Sequence, residues 1–135
     1  MVKRGLAVVG FLMFAALAGV AQNSAQVQMA PVAVFDIPFS FHANDAVFPA
    51  GTYEVRQNSE GTDIELREVK SEKITLVSAY TSLSPRPLPN ADLVFDVVDQ
   101  EHYLSEYYLP GVNGLAFSGA PIKIKHMHEV IVQKK

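Results

Sequence analysis

From residue 31 onward the chain alternates apolar and polar positions with a period of two, interrupted by turn residues, and helical periodicity is scarce. The strongest run is VAVFDIPFSFH, which puts Phe35, Ile37, Phe39 and Phe41 on one face. Pro38 falls on the opposite face and has no N–H to donate, so this strand is expected at a sheet edge or at a bulge. AND, residues 43–45, opens a turn. FPAG, residues 48–51, makes a second one, with Pro49 suited to the second position of a type I turn and Gly51 to the fourth. The chain then enters a strand in which Tyr53 and Val55 point inward and Glu54 and Arg56 point to water. NSEG, residues 58–61, supplies a hairpin connection, and TDIELREV returns with Ile64 and Leu66 opposing Glu65 and Arg67. Opposite charges at alternate outward positions can pair across neighbouring strands.

KSEK, residues 70–73, makes another turn, and ITLVSAYTSL reads as one further strand. SPRPLPN, residues 84–90, has three prolines in an extended connection expected to cross from one sheet or edge to another. ADLVFDVV and HYLSEYYL form a hairpin around DQE, and GVNGLAFSGAP is a glycine-rich loop. The closing IKIKHMHEVIVQKK alternates again, with Ile122, Ile124, Val130 and Val132 on one face. Together these segments predict an all-β fold, a single antiparallel β-barrel or β-sandwich of about seven to eight strands.

The N-terminus changes this picture by adding an address. Lys3 and Arg4 precede the apolar run Leu6 to Val20, and Gly19 and Ala21 are the small residues of a cleavage site. The run falls short of the roughly twenty apolar residues that span a bilayer. Residues 1–21 are therefore expected to be a cleaved signal-peptide helix, 22–30 a flexible lead-in and 31–135 the β domain. The protein is expected in the periplasm or outside the cell, with no stable membrane span after cleavage. The 114 residues that remain carry nine Lys and Arg against fourteen Asp and Glu, a net charge of −5. That balance argues against nucleic acid, whose affinity comes largely from cations neutralising phosphates. Without cysteine there is no disulfide, thiol nucleophile, thiolate metal site or lipid-modified N-terminus, so packing alone must hold the domain together.

Candidate chemistry is sparse. His126 and His128, in HMH, are two apart on a predicted strand, so both imidazoles can reach one ion. A cupin-like site would also want a glutamate about four residues further on, where VIVQ stands, and Glu129 points to the other face. His42 and His102 fall in predicted turns. Asp92 and Asp96 share a face, which with Asp99 is read as the solvated side of a strand. No G-x-S-x-G elbow surrounds Ser118 and no phosphate loop follows FPAGTYEV. The aromatic residues Phe35, Phe39, Phe41 and Tyr53 are core candidates, and they would equally line the cavity of a lipocalin-like carrier for a small apolar ligand. These signals predict no catalytic residue, cofactor or metal, with the His126 and His128 pair as an alternative metal site.

Two segments, DIPFSFHANDAVFPAGTYEVRQ and ADLVFDVVDQEHYLSEYYLPG, resemble a family of small, uncharacterised exported bacterial β-proteins. In that family a PF-x-F strand precedes an LPAG-x-Y-x-V turn and strand, and an L-x-F strand leads to a YFLSE-like strand and a PG turn. The resemblance covers residues 33 to 111. Phe48 replaces the usual leucine, Asp96 stands where a histidine or other polar residue is frequent, and IKIKHMHEVIV departs from a polar, glutamate-rich tail. The resemblance implies an exported β domain and supplies no catalytic residues. The expected function is that of a non-catalytic envelope or extracellular binding or structural module.

Overall fold

A computed structural model describes residues 31–121 and 126–135. The expected signal peptide and lead-in, and Ile122 and Ile124 of the closing run, lie outside the described residues. In chain order the strands are β1 (Val32–Ile37), β2 (Phe41–Ala43), β3 (Ala46–Phe48), β4 (Gly51–Gln57), β5 (Asp63–Glu68) and β6 (Ile74–Ser78). They continue with β7 (Thr81–Leu83), β8 (Asp92–Val98), β9 (Glu101–Tyr108), β10 (Gly114–Ala116) and β11 (Met127–Val132). One sheet runs β1-β4-β5-β6, the other runs β11-β8-β9-β10-β7, and the sheets curl into a half-barrel. The β2–β3 hairpin joins the second sheet through a parallel pairing of His42 with Tyr103. Every other pairing is antiparallel.

The eleven strands among the described residues exceed the seven or eight read from periodicity because two long runs are broken and short strands hide inside turn-rich segments. Pro38 follows the end of β1, which lies at an edge of the first sheet, and the chain then passes through Phe39 and Ser40 into the second sheet. ITLVSAYTSL likewise divides at Ala79–Tyr80, leaving β6 in the first sheet and β7 in the second. SPRPLPN does not change sheets. It runs from β7, at one edge of the second sheet, past β10 and β9 to β8, with the Arg86 guanidinium 4.1 Å from the centre of the Tyr108 ring.

Alternation decides what each strand buries. Tyr53, Val55, Ile64 and Leu66 are at most 1% exposed, and Glu54 and Arg67, directly opposite one another on β4 and β5, form an outward ion pair at 3.2 Å. That exposed pair contributes at most about 1 kcal/mol, whereas each buried aromatic or aliphatic side chain contributes about 1.5–3 kcal/mol. Packing therefore dominates. Phe41 joins the layers: its ring lies 5.4 Å from Tyr53 of the first sheet, and 5.3 Å from Phe95 and 5.1 Å from Phe48 of the second. Phe35 and Phe39 add contacts to Tyr107 and Phe95. In the NSEG turn, Asn58 Oδ1 accepts from the N–H groups of Thr62 and Asp63, and Gly61 takes a φ of 71°.

Two buried phenols differ in how they are satisfied. The Tyr53 hydroxyl donates to the Pro49 carbonyl at 2.6 Å, which ties the FPAG turn to the core. The Tyr107 hydroxyl has no hydrogen-bond partner among the described residues. Burial pushes the Tyr53 phenol from its ordinary value of 10 up to about 12, with the charge of Glu68 adding to the shift, and burial pushes Tyr107 up as well. Both groups prefer to stay neutral in the folded state. Their contribution is intact below the unfolded value and falls as pH rises through the folded value, where only the unfolded chain ionises readily. Tyr107→Phe removes an unsatisfied polar atom and one alkaline liability. Urea unfolding near neutral pH is expected to show about 1 kcal/mol of added stability, with a smaller loss than the parent between about pH 9 and 11.

Candidate metal centre

On the outer face of the second sheet, away from the core, β11 pairs with β8 in a register that sets His128 directly opposite Asp96. Directly opposed residues share a face, with Cβ atoms about 5 Å apart. His126 stands two residues earlier, just before β11 begins, and reaches the same point. His126 Nε2 lies 3.2 Å and His128 Nδ1 3.1 Å from the one oxygen, Asp96 Oδ1. The imidazole rings stand nearly perpendicular, with centroids 4.9 Å apart. The three donor atoms all fall within 4.8 Å of one another.

Asp96 is only 7% exposed, although it faces outward. The segment 117–121 covers it. The Phe117 N–H donates to the Ser105 carbonyl at 2.8 Å, docking the segment on β9, and the Ala120 N–H donates to Asp96 Oδ2 at 3.0 Å. Between them Gly119 adopts a φ of 64°, and a Cβ there would collide with Asp96 Oδ2. One carboxylate oxygen is thus held by a backbone amide and the other is aimed at the two imidazoles. Among the described residues Asp96 Oδ1 finds no hydrogen bond of regular geometry, even with both ring nitrogens so near. Donor atoms bound to one ion at about 2.0–2.1 Å stand roughly 3.0–3.4 Å apart, the separation found between the carboxylate oxygen and each imidazole nitrogen.

Nitrogen and oxygen donors without thiolate suit a divalent first-row ion such as zinc, copper or nickel. Three protein donors leave at least one coordination position for solvent or an outside ligand. Beside His128 a groove of about 250 Å³ opens between Val94, Val130, Glu106 and Arg86.

The sequence paired His126 with His128 correctly on one face but did not supply the third donor. Asp96 was expected on a solvated strand face; the docked segment buries it instead, which period-two alternation cannot show. A signal was available in the GAP turn, where a glycine precedes a residue whose N–H can cap a carboxylate. Glu129 points to the other face, as alternation requires, and meets His102 Nε2 at 3.0 Å. His42 and His102, expected in turns, lie within β2 and β9. His42 bonds Glu101 at 2.8 Å and stacks on Tyr103, while His102 stacks on Phe39 at 3.6 Å between ring centroids. Phe35, Phe41 and Tyr53 are fully buried against neighbouring rings and Phe39 is partly buried, so these side chains fill the interior where a carrier needs a cavity.

Comparison with protein-family models, curated proteins and solved structures returns no match. Among the described residues no helix is long and apolar enough to cross a membrane.

Gly119→Ala tests how the carboxylate is held. The added methyl group meets Asp96 and the backbone favours glycine, so the variant is expected to lose about 1–3 kcal/mol of stability. Thermal unfolding compared with Ser118→Ala, a neighbour with an exposed side chain, provides the check.

Proposed function

We propose that this protein is an exported, non-catalytic β-domain module that binds a divalent transition-metal ion through Asp96, His126 and His128. The observation that carries the reading is the convergence of two imidazole nitrogens on a buried carboxylate oxygen that no regular hydrogen bond from a described residue satisfies. A hydrogen-bonded lock would align an N–H with the oxygen, whereas a shared ion uses the three lone pairs together. The apolar leader that follows Lys3 and Arg4 supports action outside the cytoplasm, and the absence of a nucleophile or phosphate-loop motif supports binding rather than catalysis. The expected bond set is one carboxylate oxygen and two imidazole nitrogens, with solvent completing the shell.

Calorimetric titration of the purified protein with zinc, copper and nickel salts measures this directly. Saturable binding of one ion per chain is expected. Asp96→Asn, His126→Ala and His128→Ala should each weaken it by about tenfold or more, and the double histidine variant should abolish it. Equal affinity in the parent and the double variant would overturn the reading.

A further inference from the structure

At the end of the half-barrel marked by the NSEG turn, three segments enclose a groove of about 550 Å³, within the range of about 300–1,000 Å³ for small-molecule sites. The β4–β5 turn contributes Gln57 and Glu60, the β6–β7 bend contributes Tyr80, and the β9–β10 loop contributes Val112 and Asn113. Leu115, 2% exposed, also lines it, giving the groove an apolar patch continuous with the core.

Tyr80 is 86% exposed. Its backbone is anything but loose: the Ala79 N–H donates to the Thr62 carbonyl at 3.1 Å, and the Tyr80 N–H donates to the Ala116 carbonyl at 2.6 Å. The fold thus fixes the backbone of an aromatic residue at the rim of a groove while leaving its ring open to water. Around it stand two carboxamides, each able to donate and accept, and the hydroxyls of Thr62, Thr81 and Ser82. Neither the carboxamides of Gln57 and Asn113 nor the Tyr80 ring takes part in a side-chain hydrogen bond, ion pair or ring contact with another described residue. Among the described residues Glu60 is the only charged side chain in the lining, and its sign disfavours phosphates and other anions.

We propose that this groove is a binding site for a neutral oligosaccharide. A pyranose ring has an apolar C–H face and a rim of hydroxyls that both donate and accept. The C–H face matches the open Tyr80 ring and the hydroxyl rim matches Gln57, Asn113 and the neighbouring hydroxyl side chains. An apolar surface with a few convergent polar groups is the arrangement that orients such a ligand. The site lies on different elements from Asp96, His126 and His128 and does not depend on metal.

The test is a heteronuclear NMR titration of the isotope-labelled protein with maltohexaose, cellohexaose and chitohexaose, each to about 10 mM. At least one sugar is expected to produce saturable shifts centred on residues 57–62, 79–82 and 112–115. Tyr80→Ala, which removes an exposed ring without touching the core, should weaken that binding by about tenfold, and Asn113→Ala should weaken it to a smaller extent. The site is rejected if none of the three sugars binds, if the shifts centre elsewhere, or if Tyr80→Ala binds as tightly as the parent.

Discussion

A carboxylate withdrawn from water on the outside of a sheet sets the terms for the second half of this molecule. Leaving a buried charge without its partner costs about 3–5 kcal/mol, a large share of the stability of a domain this size. Asp96 is therefore compatible with the fold only if both of its oxygens are answered. The Ala120 amide answers one, which obliges the preceding residue to be Gly119 and the segment to dock through Phe117 on β9. The other is aimed at the two imidazoles, where the proposed ion would answer it, and this requires β11 to lie beside β8 in the register that brings His128 opposite Asp96. A slip of one residue would turn both histidines to the inner face and set Met127 or Glu129 opposite the carboxylate.

The two faces of the second sheet are thereby given separate tasks. Inward, Leu93, Phe95, Leu104 and Tyr107 complete a core centred on Phe41, where apolar area and ring contacts dominate the energetics. Outward, Asp96 and His128 occupy positions at which the core asks nothing of the side chain. A polar cluster can be built there without opening a void inside. The β-strand period of two is what permits this division, because neighbouring residues on one strand belong to different environments.

How much of this could be seen in the chain alone follows from the range of the interactions. Short-range features were legible: the inward Tyr53 and Val55, the FPAG and NSEG turns, the edge position implied by Pro38, and the common face of His126 and His128 all depend on residues a few positions apart. The division of ITLVSAYTSL between sheets was not, since Ala79 and Tyr80 alternate as a continuous strand would and only the carbonyls of Thr62 and Ala116 distinguish the bend. The burial of Asp96 escapes the local pattern for the same reason. Its burial comes from a segment more than twenty residues away, and a local pattern that says only "outward" equates outward with wet. Polar neighbours obscure the short β2 and the start of β9, so the pattern alone places His42 and His102 in turns.

The outer edge strands of the two sheets meet where the Lys134 N–H donates to the Val34 carbonyl at 2.7 Å and the Lys134 ammonium lies 3.3 Å from Asp36. The first and last strands of the domain are thus spatial neighbours, and along the backbone the fold forms a ring closed by a narrow seam. In such a ring the starting point of the chain is a convention. Opening it at the solvent-facing Asn58–Gly61 turn and bridging the residues beyond β11 to those before β1 would renumber every strand while preserving every ladder except the broken turn. The architecture is specified by who pairs with whom, and the order in which those partners are synthesised is free to vary.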